Sequence, residues 1–260
     1  MKCVACKREA VINVVAPFCE EHFIKNYERR LRKTVIKFNL IESKDRVLVA
    51  ISGGKDSLAL SYFLSKLRNE INFVLEALFI NIPFCVKDET LEIVKEFCDK
   101  NNIKLHTVSF EDYGIDFQKL LKLKRPICSV CGMIKRYIMN KFAREKGFNK
   151  LATGHCSEDI SLFFLKNLIS QNFEWNAKLK PLLPSSHSKL VSKIRPLFEV
   201  SEEENRLYCQ LNQIKFSSYC SYTKNEAFKN DKLRKILEES KRVMPDFPIK
   251  ICKSLEKMNI

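Results

Sequence analysis

Residues 47–57 read VLVAISGGKDS, an apolar run that stops abruptly at Ser52 and is followed at once by a helix-like pattern. Two adjacent glycines after a strand let the backbone fold closely around an anion, because neither residue carries a Cβ atom. The N–H groups of such a loop, and of the helix that it opens, then point at the anion. Lys55 adds a mobile positive charge, and Ser52 and Ser57 add hydroxyl donors. The stretch therefore predicts a strand, a loop suited to a pyrophosphate, and a helix.

Other phosphate-binding patterns do not describe this loop. The chain contains neither the Walker A pattern G-x-x-x-x-G-K-[ST] nor the dinucleotide pattern G-x-G-x-x-G. A plain glycine-serine turn is the alternative interpretation. The string SGGKDS at 52–57 resembles the signature of the PP-loop ATP pyrophosphatases, which cleave ATP between its α- and β-phosphates and adenylate a substrate. The resemblance implies ATP as a cofactor and assigns the following loop residues to its binding: Ser52, Gly53, Gly54, Lys55 and Ser57.

Length and composition favour one main core with a small appendage. The 260 residues are 45% hydrophobic, which is ample for a packed interior. A formal net charge of +15 indicates a polyanionic partner, although lysines that only promote solubility would give a similar excess. No apolar stretch approaches the roughly 18 residues that span a bilayer, and the first residues do not form a signal-peptide pattern. We therefore expect a cytoplasmic chain that does not contact a membrane.

Eleven cysteines in such a chain indicate metal or thiol chemistry rather than disulfides. Near the N-terminus, the pairs Cys3-x-x-Cys6 and Cys19-x-x-His22 supply three thiolates and one imidazole. These ligands are enough to close a tetrahedral Zn²⁺ site, and the residues between the pairs have a workable hairpin length. Four ligands leave no open position, so we expect a structural ion that supplies the folding energy of this segment. Unrelated cysteines near a terminus are the alternative.

Strands alternate with helices along most of the chain. This alternation predicts an α/β fold, a doubly wound parallel sheet of five strands in the order 3-2-1-4-5. We expect three parts: a zinc-binding module over 1–25, an ATP-binding α/β domain over 26–200 and a helical segment over 201–260. The predicted strands are Arg46–Ile51, Phe73–Ile80, Lys104–Phe110, Leu151–Thr153 and Ile194–Phe198. The predicted helices lie near Asp56–Leu67, Lys87–Asn101, Ser129–Lys146, Ser201–Leu211 and Glu226–Val243.

The predicted strand order brings two distant segments together. In such a sheet the first strand lies beside the fourth, and ligands bind in the crevice outside the carboxyl ends of the two strands. The SGGKDS loop ends the first strand, and Gly154, with Asp159 downstream, follows the fourth. We therefore expect both segments to contact one nucleotide. The adenine would be held by backbone near Ile51 and Ile80, at the ends of the first two strands.

Cys128, Cys131 and Lys135 are spaced three and four residues apart. If a helix begins near Pro126, all three lie on one stripe, and the helix N-terminus acidifies the thiols. A separate apolar stripe can bury the helix, so the cysteines are not needed for packing. A redox pair and a second zinc site are alternatives. Together with Cys220, the pair gives three cysteines without a fourth, which would leave one iron of a four-iron cluster open; a buried thiol is the alternative for Cys220.

A closer resemblance covers the chain as far as Cys220. The N-terminal Cys/His pairs, SGGKDS, PICSVCGMIKRY, LATGH and IRPLFEVSEEE followed by a lone cysteine occur in one order. This order is similar to that of the tRNA 2-thiouridine synthetases of the TtuA type, within the TtcA-like group. The resemblance implies that Cys128, Cys131 and Cys220 hold an oxygen-sensitive [4Fe-4S] cluster, and that Lys135 and Asp159 serve in ATP binding and catalysis. Relatives usually carry a second zinc site of four cysteines near the C-terminus, whereas Cys252 stands alone here.

The chemistry that the resemblance implies is thiolation of a tRNA uridine. Its C2 oxygen is adenylated, and sulfide on the open iron then displaces AMP. Lys55, Lys135 and the loop amides offset charge on the phosphates, while Asp56 and Asp159 hold Mg²⁺. The implied partners are tRNA, a sulfur donor (sulfide or a thiocarboxylated carrier protein) and a second copy in a homodimer.

Three other functions fit parts of the pattern. One is a thiolase without a cluster, in which Cys128, Cys131 or Cys220 carries a persulfide. Another is a zinc-containing RNA-binding module whose nucleotide loop does not turn over, and a third is a ligase that adenylates a small molecule. The basic stretch from Tyr27 to Asn39 fits RNA contact and a solvated helix face equally well.

Overall fold

The computed structural model describes residues 1–82, 88–217 and 232–258. Its strands are β1 (Ile12–Asn13), β2 (Pro17–Phe18), β3 (Arg46–Ile51), β4 (Val74–Asn81), β5 (Lys104–Ser109), β6 (Lys150–Ala152), β7 (Leu182–Leu183) and β8 (Ser192–Ile194). The first two form an antiparallel hairpin. The others form one sheet in the order β5-β4-β3-β6-β8-β7.

The predicted parallel sheet is confirmed, with one addition at its edge. Strands β5, β4, β3, β6 and β8 are parallel and reproduce the order 3-2-1-4-5. The predicted bounds Ile194–Phe198 of the last strand are wrong, because β8 ends at Ile194 and Pro196–Glu199 form a short 3-10 helix. The addition is β7, which pairs with β8 in the antiparallel sense and lies in the connection that the sequence left without structure. Strand β7 has only two residues, which is too few to show the alternation of apolar and polar residues that predicts a strand.

The central strand β3 is covered on both faces, as expected for a parallel sheet. Val47, Leu48 and Val49 are fully buried. In register, Ile51 at the end of β3 lies opposite Phe79 of β4, so Ile80 stands one residue further along the neighbouring strand. The carboxyl ends of the two strands therefore meet at the same edge of the sheet.

The helices are α1 (Glu20–Lys37), α2 (Lys55–Leu67), α3 (Asp88–Lys100), α4 (Phe117–Leu121), α5 (Ile127–Glu145), α6 (Ser157–Ile169), α7 (Glu202–Leu211), α8 (Lys232–Val243) and α9 (Phe247–Lys257). The sequence analysis missed α9, which starts with Pro248 in its first turn and buries Ile249, Cys252 and Leu255. Among the described residues, none of the helices is both long and apolar enough to cross a membrane.

Helix α1 joins the N-terminal hairpin to the main core. Its residues Phe23, Tyr27, Leu31 and Val35 repeat every four positions, are almost fully buried, and belong to the same hydrophobic cluster as β3 and α2. Four-residue spacing places them on one face of the helix. The element that carries His22 in its first turn therefore packs directly against the layer that supports the loop after β3.

Candidate functional site

The loop after β3 is closed by its own serines. The hydroxyl of Ser57 accepts a hydrogen bond from the backbone N–H of Ser52 at 3.1 Å and donates one to the carbonyl of Gly54 at 2.9 Å. The hydroxyl of Ser52 accepts from the N–H of Gly54 at 3.4 Å. These bonds curl the loop around the first turn of α2, where backbone N–H groups lack partners within the helix. The curled loop is therefore shaped for an anion.

Gly53 is required by both conformation and space. Its φ is 78°, and a Cβ atom there would come within 2.5 Å of Cγ2 of Thr90 in α3. The carbonyl of Gly53 accepts a hydrogen bond from the N–H of Ser217 at 2.9 Å, and the hydroxyl of Thr90 lies 3.2 Å from that of Ser217. The start of α3 and the segment after α7 are thus fixed against the loop.

Gly154 lets the end of β6 approach the start of α2. A Cβ atom on Gly154 would stand 3.0 Å from the backbone nitrogen of Ser57 and 3.1 Å from the carbonyl carbon of Asp56. A side chain here would require the backbone of α2 to shift by a few tenths of an ångström, so glycine suits this close approach. The two segments that the sequence analysis expected to meet over one nucleotide are therefore in contact.

Lys55 is held between two carboxylates. Its Nζ lies 2.9 Å from Oδ2 of Asp56 and 3.4 Å from Oε2 of Glu202, the first residue of α7. Burial favours the neutral amine, but the charges of Asp56 and Glu202 outweigh it and raise the pKa of Lys55. The lysine is therefore charged and oriented at the base of the loop, where it can attract phosphate oxygens.

A buried chain of hydrogen bonds positions Asp56 from behind. The side-chain amide of Asn205 in α7 donates to Oδ1 of Asp56 at 2.8 Å, and the hydroxyl of Tyr27 in α1 donates to Oδ1 of Asn205 at 2.6 Å. Asn205 and Tyr27 have no exposed surface. Because buried polar groups without partners are costly, this series of hydrogen bonds fixes Oδ1 of Asp56 relative to α1 and α7.

Asp159 lies in the first turn of α6, across the crevice from the loop. Its Oδ2 accepts the backbone N–H of Cys156 at 3.1 Å, and the Cys156 thiol lies 3.5 Å from the same oxygen. Burial raises the pKa of Asp159 to about 6; the charges of Glu202 and Asp56 add to this rise, and the bond from Cys156 opposes it. Carboxylates that disfavour one another's ionisation in this way are suited to a divalent cation, which offsets their charges.

His155 is a neutral residue of the turn after β6. Its Nδ1 lies 2.9 Å from the hydroxyl of Thr153. Burial lowers the pKa of His155 to about 4, and the positive charges of Arg195, Lys193 and Arg136 act in the same direction. The structure therefore supports a positioning role within the turn, and it also places several cations on this side of the crevice.

Helix α5 begins at the same edge of the sheet. Cys131 is buried in a cluster with Ile82 and Phe110, which directly follow β4 and β5. The expectation that the cysteines do not contribute to packing is therefore wrong for Cys131, because the ends of two strands lie against it. Cys128 is exposed, and Lys135 is half-buried one turn beyond Cys131. Lys135 has no ion-pair partner among the described residues.

The N-terminal ligand group is assembled. The donor atoms of Cys3, Cys6, Cys19 and His22 all lie within 4.8 Å of one another. Individual separations are 3.7 Å (Cys3–His22), 3.6 Å (Cys6–Cys19) and 3.3 Å (Cys19–His22). Neighbouring ligands of a tetrahedral zinc ion stand about 3.6 to 3.8 Å apart, given bonds of about 2.3 Å to sulfur and about 2.0 Å to nitrogen. The group could therefore hold a metal ion.

The remaining predicted residues divide into two sets. Ile51 and Ile80 lie at the carboxyl edge of the sheet, on adjacent strands. Cys220 lies outside the described residues, and so does Cys85. Ser217, three positions before Cys220, is the nearest described residue on that side and is bonded to the loop.

Helix α7 contributes residues that the sequence analysis missed. Besides Glu202 and Asn205, the thiol of Cys209 donates to the carbonyl of Lys55 at 3.3 Å. The start of α7 carries a visible signal, because Ser201 and Glu204 form a capping box. That signal locates the helix in the sequence, but only the folded chain shows that the helix lies against the start of α2.

The parallel sheet, the serine-closed loop after β3 and the contact of Gly154 with α2 define an ATP-binding domain of the PP-loop class. In agreement, the sequence model of the PP-loop domain family matches residues 22–240. The tRNA-5-methyluridine(54) 2-sulfurtransferase of Pyrococcus horikoshii is 41% identical over 78% of this chain and 66% of its own length. The enzyme of the same name from Thermotoga maritima is 37% identical over 82% of this chain and 71% of its own length. The chain belongs to the PP-loop family of tRNA 2-sulfurtransferases.

One solved structure extends the comparison to nearly the whole chain. The U34-tRNA thiolase NcsA from Methanococcus maripaludis, solved with its [4Fe-4S] cluster, superposes with a TM-score of 0.85 at 29% sequence identity. The match covers 99% of this chain and 87% of NcsA. By contrast, the chain spans only about two thirds of the length of the Pyrococcus relative.

Proposed function

We propose that this chain is an ATP-dependent sulfurtransferase that replaces the C2 oxygen of a tRNA uridine with sulfur. The observation that carries the proposal is the position of three features at one edge of the sheet: the loop after β3, the Gly154–Asp159 segment and the start of α5. The relatives named as tRNA 2-sulfurtransferases support the substrate class and the reaction.

The first half-reaction uses the loop and the carboxylates. The uridine C2 oxygen attacks the α-phosphorus of ATP, the bond to the β-phosphate oxygen breaks, and pyrophosphate leaves. Lys55, Lys135 and the loop N–H groups offset charge on the phosphates, and Asp56 and Asp159 hold Mg²⁺. The adenine lies against Ile51 and Ile80. In the second half-reaction sulfur bonds to C2, the C2–O bond breaks, and AMP leaves with that oxygen.

Cys128, Cys131 and Cys220 would hold a [4Fe-4S] cluster. The exposure of Cys128 and the anchoring of Ser217 to the loop support this assignment. A cluster with three protein ligands supplies an iron at which a sulfur species can bind. The cluster in NcsA adds support from a relative.

The other parts of the proposal have separate support. The four-residue N-terminal group would hold Zn²⁺ as a structural ion, because its donor atoms all lie within 4.8 Å of one another and their types are those that zinc prefers. A cytoplasmic location agrees with the nine free cysteines among the described residues, which a reducing compartment preserves. A homodimer and a sulfur donor, either sulfide or a thiocarboxylated carrier protein, follow from the family resemblance alone.

Nucleoside analysis of tRNA tests the proposal. We expect a 2-thiolated uridine to disappear from a strain that lacks this chain, and to return with the wild type but not with Lys55→Ala. Unchanged tRNA nucleosides would remove the proposed substrate. The anaerobically purified chain should contain about four irons beyond the zinc. Activity without iron would favour a persulfide on one of the cysteines, and tRNA binding without AMP release would favour an RNA-binding module.

A further inference from the structure

Two basic segments of the chain differ in how the structure uses their charges. The first is α1, in which four of the six cations have an ion-pair partner among the described residues. Arg30 pairs with Glu204, Arg32 lies 2.6 Å from Glu70, and Lys37 pairs with Glu256. These arginines and lysines connect α1 to α7, α9 and the end of α2. Of the two interpretations that the sequence left open for this stretch, these ion pairs weaken RNA contact through Arg30, Arg32 and Lys37, and the solvated helix face stays a prediction.

The second basic segment, LKLKR at 121–125, joins α4 to α5. Every residue from Leu121 to Arg125 is exposed. Within the part of the chain that the structure describes, no ion pair joins Lys122, Lys124 or Arg125 to a carboxylate. Three unpaired cations in four residues repel one another, so the segment favours an anionic partner over open solvent.

This segment leads directly to the exposed cysteine of the site. Pro126 follows it and α5 begins at Ile127, so Cys128 stands three residues after Arg125. The positive charge continues along α5, where Nη1 of exposed Arg136 lies 3.4 Å from the Cβ position of Gly132, one turn nearer to Cys128. We call Lys122, Lys124, Arg125 and Arg136 the α5 basic surface. It borders Cys128 from both sides along the chain.

We infer that the α5 basic surface binds the phosphodiester backbone of the RNA substrate beside the nucleotide that reacts. This inference rests on the proposed function and names the surface through which it acts. Lysine and arginine contacts to phosphates position a nucleic acid without reading its sequence. A uridine that reaches the crevice needs its flanking phosphates held close to Cys128, and this surface supplies the charges at that place.

Salt-dependent binding of bulk tRNA to the anaerobically purified chain tests the inference. The triple variant Lys122→Glu, Lys124→Glu and Arg125→Glu should bind at least about tenfold more weakly at 150 mM salt. Each lost phosphate contact lowers the slope of log K against log salt by about 0.7 to 0.9, so we expect the slope to fall by about 2 to 3. Replacing the same residues by Gln should lower the slope equally while adding no repulsion.

A control with the same net charge separates local contacts from overall charge. Lys235, Lys253 and Lys257 are exposed on α8 and α9, which pack against α6 rather than α5. Their triple Glu variant should keep most of the wild-type slope. Equal losses in the two triple variants, or wild-type binding by the α5 variant, would overturn the inference. If the wild type itself does not bind tRNA, the proposed function fails. ATP binding that stays at the wild-type level in each variant shows that the fold is intact.

Discussion

Replacing Asp159 by Asn should stabilise the folded chain at neutral pH while it removes adenylation. Burial and the charges of Glu202 and Asp56 raise the pKa of Asp159 to about 6, whereas an aspartate in an unfolded chain ionises near about 3.9. The folded chain therefore binds this proton more tightly than the unfolded chain does. Stability is accordingly lost as the pH rises from about 4 to about 6. Asparagine keeps the oxygen that accepts the N–H of Cys156 but carries no charge.

The size of the effect follows from the two pKa values. The gap between about 3.9 and about 6 corresponds to about 3 kcal/mol of lost stability at pH 7.5, of which about 1 kcal/mol has developed at pH 4.5. For a chain of this size, about 3 kcal/mol raises the melting temperature by about 6 to 12 °C. The Asp159→Asn variant should therefore melt well above the wild type at pH 7.5 and only slightly above it at pH 4.5.

Calorimetry without nucleotide or Mg²⁺ measures this difference, with wild type and variant compared at the same pH so that other titrations cancel. Asp99→Asn, on the exposed face of α3, is the matched control for the change from carboxylate to amide. Added Mg²⁺ should stabilise the wild type more than the Asp159→Asn variant, because the ion offsets the charge that asparagine lacks. A gain of equal size at both pH values, or a loss at pH 7.5, would refute the reasoning.

Three further predictions concern the support of the site. Asn205→Ala should cost about 2 to 4 kcal/mol of unfolding free energy, because it leaves the buried Tyr27 hydroxyl without an acceptor. The double variant Asn205→Ala/Tyr27→Phe should lose at least about 0.5 kcal/mol less unfolding free energy than the two single variants lose together. Additive losses in denaturant titrations would disprove the coupling. Gly154→Ala should weaken ATP binding in calorimetry, since its Cβ would press on the backbone of Ser57; unchanged affinity would show that this contact can relax. Removing metal from the Cys3–His22 group with a chelator should lower the melting temperature and expose the hairpin to proteolysis, and added Zn²⁺ should reverse both effects; indifference to the chelator would exclude a structural ion.

The sequence predicted the parts of this protein whose signals are local. The SGGKDS loop needs glycine and hydroxyl groups at fixed positions, and the four N-terminal Cys and His residues need a fixed spacing. Both can therefore be recognised as short sequence patterns. The strand order also followed, because parallel strands joined by crossover helices have few allowed arrangements. What could not be predicted depends on long-range packing. The sequence around Asn205 does not indicate that α7 packs against α2. It also does not indicate that the Tyr27 hydroxyl of α1 donates a hydrogen bond to Asn205.

Around the site, the cations of the α5 basic surface lie at the surface, and a group of carboxylates lies deeper. This arrangement bears on how two polyanionic substrates could share one crevice. The α5 basic surface is exposed, whereas the carboxylates of Asp56 and Glu202 flank Lys55, and their charges also act on Asp159. Bare phosphates are repelled by these inner carboxylates, but a nucleotide that arrives with Mg²⁺ brings the charge that offsets them. In the proposed function, an RNA backbone would instead be retained at the outer cations and would send only an uncharged base inward. In the proposed function, the carboxylates would therefore have a second role besides holding Mg²⁺, because they would keep RNA phosphates out of the place where the phosphates of ATP bind.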